Sequence, residues 1–202
     1  MQYQKKYRSP LGEMLLAADD RGLVGIWFRG AEHFGRGLEP GSREGEHPFL
    51  SEAERWLDCY FSGHEPEFQP PIHWSGTPFQ QTVWELLRQI PYGSTVTYGT
   101  LAVYAAERLG RPGMPAQAVG GAVARNPLSV LVPCHRVVGA DGSLTGYAGG
   151  LERKRWLLAL EAAGKACPAP ADRGEVCPAG PCIAVPPVSC LTACVQTGRG
   201  WR

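Results

Sequence analysis

The chain has 202 residues and a formal net charge of +1, with 44% hydrophobic and 19% charged residues. A near-neutral chain of this length forms one ordinary domain or two small ones, and its charge alone indicates no partner. The basic start MQYQKKYRSP leads into no continuous apolar core and no stretch approaches a membrane span, so we expect no signal peptide and no membrane partner. A cytoplasmic protein with reduced cysteines is therefore expected.

The charge is unevenly distributed along the chain. Residues 1–75 carry 8 Lys and Arg against 12 Asp and Glu, residues 76–164 carry 8 against 5, and residues 165–202 carry 4 against 2. The middle part is therefore basic, with a balance of +3, whereas the first part has a balance of −4. A basic part suits a polyanionic partner, although this small excess also fits an ordinary solvated surface.

The first part predicts a β-hairpin followed by a helix. Strand-like runs over residues 13–18 and 23–28 flank the turn DDRG, and a loop rich in Gly, Pro and acidic residues covers residues 30–48. Ser51 and Glu54 have the spacing of a capping box, which predicts a helix over residues 51–61. The proline-rich residues 66–76 are interpreted as a linker, and nothing in this part suggests chemistry.

Three helices are predicted in the middle part before residue 127. Thr77, Pro78 and Gln80 have the pattern of a capped helix start, and the helix ends at Pro91. Residues 97–110 and 115–126 predict two helices joined by the turn RPGM, which is a helix-turn-helix candidate, although many helical hairpins bind no DNA. Gly120 and Gly121 weaken the second helix, which favours a close packing or approach at that point.

An apolar run leads to a single cysteine. Residues 129–132 lie between Pro127 and Pro133 and predict a short buried strand, so Cys134 should lie at a strand end or bend. A lone cysteine is usually an inert small hydrophobic residue. His135 and Arg136 follow it and could activate a thiolate, although adjacent strand positions face opposite ways, so His135 needs a bend or a water to serve Cys134.

The remaining chain predicts a loop, a helix and a tail. Residues 139–150 are glycine-rich, and residues 151–164 predict an amphipathic helix closed by Gly164. Glu161 lies near the apolar face of this helix and should have a buried partner. Residues 165–202 carry five cysteines without paired spacing or histidine, so we expect a disordered tail and no metal site.

The string VPCHRVVGADGSLTGYAGGLERKRWLLALE, residues 132–161, contains the signature PCHRVV. It resembles the active-site region of the O6-alkylguanine-DNA alkyltransferases, also called methylated-DNA-protein-cysteine methyltransferases. The resemblance extends back through NPLSVLV, AVGGAV and IPYGSTVTYGTLA and covers about residues 77–164. It implies an α+β fold with a small variable α/β domain (1–75), a mostly helical catalytic domain with the helix-turn-helix (76–164), and the tail (165–202).

The resemblance implies single-use, direct-reversal DNA repair without a cofactor. Cys134 takes the alkyl group from O6-alkylguanine, with O4-alkylthymine as a second candidate substrate, and the resulting thioether cannot be reversed. Glu161 orients His135, and His135 takes the thiol proton through a water. Asn126 helps to hold the loop, and Tyr98 donates toward the departing guanine. The implied partner is double-stranded DNA containing alkylated guanine, bound by a monomer.

The resemblance also places the second helix of the helix-turn-helix in the DNA minor groove and the flipped base in a pocket. The implied DNA- and base-contacting residues are Gln117, Ala118, Gly120, Gly121, Arg125, Val137, Tyr147 and Ala148. Gln117 stands where many relatives insert an arginine into the base stack. Because glutamine lacks that cation, we expect base flipping with weaker DNA affinity.

Two other functions are weighed against alkyl transfer. An alkyltransferase-like module would bind alkylguanine and flag it without transfer, but such proteins replace the cysteine, so Cys134 argues against this interpretation. A cysteine hydrolase would use Cys134 and His135 with turnover, but the chain has no local protease signature.

Overall fold

The computed structural model describes residues 1–166, so the predicted tail lies outside the described residues except for its first two. A four-stranded sheet comprises β1 (Tyr3–Ser9), β2 (Gly12–Asp19), β3 (Gly22–Phe28) and the short β4 (Arg43–Glu44). Its order is β3-β2-β1-β4, with β1 and β3 antiparallel to β2 and β4 parallel to β1. The predicted hairpin is confirmed as β2 and β3.

The side chain of Asp19 explains the hairpin turn, and the alternating burial of side chains identifies β1, a strand that was not predicted. Oδ1 of Asp19 accepts hydrogen bonds from the backbone N–H groups of Arg21 and Gly22, which closes the turn. Strand β1 was missed, although Tyr3 and Tyr7 lie partly buried at alternating positions while Lys6 and Arg8 are exposed. This period of two is the signal that identifies it.

The outer edge of β3 is covered by two segments that are distant in sequence. The Leu23 N–H donates to Pro71 O at 2.8 Å, and the His73 N–H donates to Leu23 O at 2.9 Å. Farther along, Ile26 exchanges backbone hydrogen bonds of 2.8 Å with Pro127 and Ser129. The segment interpreted as a linker is therefore attached to the sheet.

Helix α1 begins three residues earlier than predicted, at Pro48, and runs over Pro48–Phe61. Ser51 is not its N-cap. His47 takes that role, because its Nδ1 accepts from the Phe49 N–H at 3.3 Å and Pro48 fits the first turn behind it. The helix buries Leu50, Ala53, Trp56, Leu57 and Tyr60.

Helix α2 (Pro78–Arg88) has the predicted capping box, with reciprocal hydrogen bonds between Thr77 and Gln80. Helices α3 (Tyr98–Arg108) and α4 (Ala116–Ala124) follow and contact α2 and each other, as predicted for the helix-turn-helix. Nε1 of Trp84 donates to Ala122 O at 2.9 Å, and this hydrogen bond fixes α4 against α2.

Residues 129–132 form a turn, so the predicted strand is wrong. Val130 has a φ of 71°, which a strand does not allow, and Leu128 makes only an isolated bridge to Ile26. The run is buried because it passes through the core. Its apolar, partly β-branched sequence is also typical of a buried strand, which explains the wrong prediction. A 3₁₀ turn, Cys134–Arg136, follows and leads into β6 (Val137–Val138), which pairs in parallel with β5 (Val96–Thr97).

Helix α5 runs over Leu151–Ala166, so Gly164 does not end it. A side chain at Gly164 would meet the carbonyl oxygen of Gly63 and lie 2.8 Å from the hydroxyl of Tyr92. This glycine therefore serves a close approach between α5 and the segments after α1 and α2.

One hydrophobic cluster includes side chains from the sheet and from all five helices, so the sheet and the helical part share a core. Within residues 1–166, none of the helices combines the length and apolar character needed to cross a membrane.

Candidate active site

Cys134 lies at the first position of the 3₁₀ turn and has 6% of its surface exposed. Its Sγ accepts a hydrogen bond from Nδ2 of Asn126 at 3.2 Å. The chain bends after Pro133, where the 3₁₀ turn begins. Cys134 therefore lies at a bend, as expected, although no strand precedes it.

Asn126 organises the segment that carries the cysteine. Its Nδ2 also donates to Val132 O at 2.8 Å and lies 3.3 Å from Leu128 O, while its Oδ1 accepts from the Leu128 N–H at 3.0 Å. These bonds satisfy backbone groups that a strand would have paired. This buried amide, together with the backbone hydrogen bonds within the turn, therefore aligns Cys134.

The Cys134 thiol is held protonated by its surroundings. Burial raises its pKa, against the opposing effects of the Asn126 hydrogen bond and the charge of Lys154. Burial lowers the pKa of Lys154 to about 8, and the neighbouring Cys134 opposes that shift. The thiol therefore needs a base before it can act as a nucleophile.

His135 and Glu161 form a fully buried pair next to Cys134. Nε2 of His135 lies 2.8 Å from Oε1 of Glu161. Burial lowers the pKa of His135, so the imidazole is neutral. An ionised carboxylate only accepts hydrogen bonds, so the proton is assigned to Nε2 and Nδ1 carries the lone pair. Nδ1 is buried and has no hydrogen-bond partner among residues 1–166.

Arg136 and the backbone of Gly93 complete the surroundings of Glu161. Nε of Arg136 lies 3.1 and 3.0 Å from Oε1 and Oε2, Nη2 donates to Oε1 at 2.9 Å, and the Gly93 N–H donates to Oε2 at 2.9 Å. Burial alone would raise the pKa of Glu161, but hydrogen bonds and charge from His135 and Arg136 lower it to about 2. The carboxylate therefore stays ionised inside the protein.

Tyr60 of α1 also reaches this pair. Its hydroxyl donates to Oε1 of Glu161 at 2.7 Å and lies 3.2 Å from Nε2 of His135. The sheet-containing half of the chain thus contributes a polar group to the network.

Tyr98 contacts the glycine-rich loop, and Tyr147 belongs to it. The Tyr98 hydroxyl lies 3.0 Å from Gly146 O and 3.2 Å from Thr145 O, and burial raises its pKa to about 12. The Tyr147 ring is buried, with its centroid 6.5 Å from that of His135, and its hydroxyl has no partner within the described part of the chain. Both rings also interact electrostatically with Cys134.

The backbone positions assigned to the base pocket are tied to neighbouring segments. Nζ of Lys154 donates to Val137 O and to Thr145 O, both at 2.6 Å. The Ala148 carbonyl accepts from the Glu32 N–H at 3.2 Å, which attaches the glycine-rich loop to the loop after β3. Lys154 therefore holds the strand after Cys134 against the glycine-rich loop.

The residues assigned to DNA contact lie on or after α4 and are more open than the network. Gln117, Ala118 and Arg125 are exposed, while Gly120 and Gly121 are partly exposed. The Arg125 guanidinium folds back to Gly121 O at 2.8 Å. The structure therefore separates the predicted residues into a buried group around Cys134 and an exposed group on α4.

The sequence did not identify the roles of Tyr60, Arg136 and Lys154. In the sequence, Tyr60 lies on the apolar face of the helix predicted over residues 51–61. A hydroxyl on a buried face is a detectable signal, because buried polar groups need partners. The position of Lys154 beside Trp156 and Leu157 gives no comparable signal.

Two protein-family models match the chain. The first is described as 6-O-methylguanine DNA methyltransferase, ribonuclease-like domain, and matches residues 2–73. The second, 6-O-methylguanine DNA methyltransferase, DNA binding domain, matches residues 78–163. Together they include every residue of the buried network.

Curated relatives and solved structures agree with these models. A methylated-DNA--protein-cysteine methyltransferase of Methanosarcina acetivorans is 43% identical over 79% of this chain and 97% of its own length. One of Mycobacterium leprae is 45% identical over 76% of this chain and 88% of its own. The crystal structure of Mycobacterium tuberculosis OGT in complex with DNA superposes with a TM-score of 0.69 at 38% identity, covering 80% of this chain and 94% of that one. These matches also agree in the α+β arrangement of strands and helices.

Proposed function

The chain belongs to the methylated-DNA-protein-cysteine methyltransferase family, and on that premise we propose that it repairs O6-alkylguanine in DNA by moving the alkyl group to its own Cys134. It is a DNA-repair enzyme that reacts once, because the thioether it forms is a poor leaving group. The observation that carries this function is the buried thiol of Cys134 beside the neutral imidazole of His135. Nε2 of this imidazole is hydrogen-bonded to the ionised Glu161.

Activation of the thiol follows from the protonation states in the network. Nδ1 of His135 accepts the proton of Cys134 through a water, and Glu161 stabilises the resulting imidazolium through Nε2. The Asn126 amide and the Lys154 ammonium stabilise the thiolate. These groups act inside the core, where electrostatic interactions are stronger than in water.

The transfer step forms one bond and breaks one. The thiolate sulfur attacks the alkyl carbon, the C–S bond forms, and the C–O6 bond breaks with its electron pair moving to the guanine. Tyr98 donates a proton to the departing guanine, which leaves neutral, and the proton that His135 took from Cys134 then returns to the Tyr98 phenolate. Val137, Tyr147 and Ala148 line the pocket that holds the flipped base.

Helix α4 is the proposed DNA-contacting element. A side chain at Gly120 would make only an ordinary contact of 3.8 Å with Tyr98, and one at Gly121 would meet only the flexible end of Arg125. Packing inside the protein therefore does not require either glycine. A close approach of the DNA backbone to α4 gives both a reason.

The alternative of a binding module without transfer is disfavoured by the same geometry. Recognition of a flipped nucleobase needs a pocket, but it needs no proton acceptor beside a cysteine. The chain has Cys134 together with a neutral His135 and an ionised Glu161, which is machinery for deprotonating a thiol.

The proposed function is tested with Cys134→Ser. Serine is a far weaker nucleophile near neutral pH, so the variant should bind DNA as the wild type does but acquire no alkyl group. Both proteins are incubated with double-stranded DNA containing O6-methylguanine and digested for mass spectrometry. A mass increase of one methyl group confined to the wild-type Cys134 peptide is expected, and methylation of the variant at the wild-type rate would contradict the assignment.

The division into residues 1–75, 76–164 and the tail is also proposed, with repair requiring the first two parts. A chain without residues 165–202 should repair DNA at the wild-type rate, because every residue of the network precedes residue 165. We further propose a reducing compartment, since both cysteines in the described part of the chain are free thiols.

A further inference from the structure

Tyr60 links the N-terminal half of the chain to the chemical groups of the other half. It is separated by 75 residues from His135 and by 101 residues from Glu161, yet its hydroxyl lies within hydrogen-bond distance of both. None of the proton-transfer steps described above uses it.

The direction of its hydrogen bonds follows from the groups around it. Burial and the charge of Glu161 raise the pKa of Tyr60, so the phenol keeps its proton. That proton points to Oε1 of Glu161, which accepts it at 2.7 Å. The phenol oxygen is then an acceptor 3.2 Å from Nε2 of His135, so two acceptors face Nε2 and both favour a proton there.

Aromatic packing fixes the position of this hydroxyl. The Tyr60 side chain is fully buried, its ring stacks on Trp56 at 5.4 Å, and the edge-on rings of Phe61 and Tyr92 lie at 5.5 and 6.0 Å. The hydroxyl therefore has little freedom to leave the His135–Glu161 pair.

We propose that Tyr60 is a positioning residue for alkyl transfer, holding Glu161 and His135 so that the proton stays on Nε2 and Nδ1 remains available to Cys134. This role rests on the proposed alkyl transfer. Through Tyr60, the sheet-containing half takes part in the reaction without touching the substrate.

The role predicts a change in the pH profile, because several charged or titratable groups share this site. These groups are Glu161 and Lys154 of α5, Arg136 and Cys134 of the 3₁₀ turn, and Tyr92 after α2. Without the phenol proton, more of the negative charge of Glu161 acts on His135 and raises the pKa of the imidazole. The base is then lost at a higher pH.

The test compares Tyr60→Phe with Tyr7→Phe. The control removes a hydroxyl that also donates to a carboxylate, Oδ1 of Asp58 at 2.8 Å, but outside the His135–Glu161 pair. The rate of benzyl transfer from free O6-benzylguanine to Cys134 is followed by mass spectrometry across pH. Tyr60→Phe should react about 10-fold more slowly at neutral pH and lose activity at a higher pH on the acid side. Tyr7→Phe should match the wild type in both.

A Tyr60→Phe variant with the wild-type rate and pH profile would overturn this role. If that variant does not fold, a ring-fluorinated tyrosine at position 60 retains the shape and is a stronger donor, so its acid limb should move to lower pH, and an unmoved limb would overturn the role equally. A wild-type protein that takes no alkyl group from O6-methylguanine in double-stranded DNA would instead refute alkyl transfer itself, so the two failures are distinct.

Discussion

The network around Cys134 and the surface of α4 differ in how their polar side chains are placed: the network is buried and hydrogen-bonded, whereas the α4 surface is exposed. In the network, Glu161 accepts hydrogen bonds from Tyr60, His135, Arg136 and the backbone of Gly93. On α4, Gln117 and Ala118 are exposed, and the helix has no side-chain N-cap. In the proposed reaction, reactivity therefore depends on contacts within the protein, whereas the proposed DNA binding depends on exposed side chains of α4.

The largest effect is expected for Glu161→Gln, which should affect chemistry and leave DNA binding unchanged. The neutral amide no longer stabilises the imidazolium, so the rate of alkyl transfer should fall by about 100-fold or more. Rates are measured in single turnover with O6-benzylguanine, and DNA affinity is measured on undamaged duplex. Glu152→Gln is the control, since Glu152 is an exposed carboxylate on the same helix. A comparable loss of DNA affinity would break the separation between the two regions.

Acid should destabilise the network through the same carboxylate. The pKa of Glu161 is lowered from 4.5 to about 2 on folding, so the unfolded chain binds this proton first. Stability is therefore complete above about pH 4.5 and falls by about 3 kcal/mol as the pH drops toward 2. Urea unfolding between pH 6 and about 3 should show about 2 kcal/mol of this loss in the wild type. The loss of stability with falling pH should be smaller in Glu161→Gln. An equal pH dependence of the free energy of unfolding in the two proteins would contradict the lowered pKa of Glu161.

Gly164→Ala and Gly121→Ala should change the free energy of unfolding in opposite directions. Gly164→Ala pushes a side chain toward Gly63 and Tyr92 and should destabilise the protein by about 1–3 kcal/mol. Gly121→Ala on α4 meets only the end of Arg125, so it should stabilise by about 0.5–1 kcal/mol through helix propensity. Thermal unfolding measures both. A stabilising Gly164→Ala would show that α5 does not need this close approach.

The smallest effect is expected for Gln117→Arg. A cation on α4 should tighten DNA binding by about 1 kcal/mol, more at low salt, and leave benzylguanine reactivity unchanged. Gln117→Met is the control, since it has a similar length without a charge. Affinity is measured at two salt concentrations. Unchanged affinity with altered reactivity would mean that residue 117 faces the pocket and that α4 is placed wrongly on DNA.

Elements determined by neighbouring residues were predictable from sequence. The capping box of Thr77 and Gln80 and the turn at Asp19 depend on groups within three residues, and both lie where the pattern indicated. Competing local signals caused the errors. Ser51 had the spacing of a cap, but His47 and Pro48 begin the helix one turn earlier.

Residues whose environment is made by tertiary contacts could not be assigned from local patterns. The 129–132 run has strand composition, yet its polar groups are paired by the amide of Asn126 and by backbone hydrogen bonds of the turn. Lys154 is buried because two carbonyls from separate segments meet its ammonium group. Cys134 was identified because the motif around it is contiguous in sequence.

The edge of β3 has a consequence for synthesis of the protein. Its outer backbone groups are paired by residues 71–73 and, farther along, by residues 127–129. While the ribosome has released only the first half of the chain, Ile26 and its neighbours form an open, apolar strand edge of the kind that recruits other strands. The nascent chain therefore remains prone to aggregation until the segment that precedes Cys134 emerges and closes the sheet.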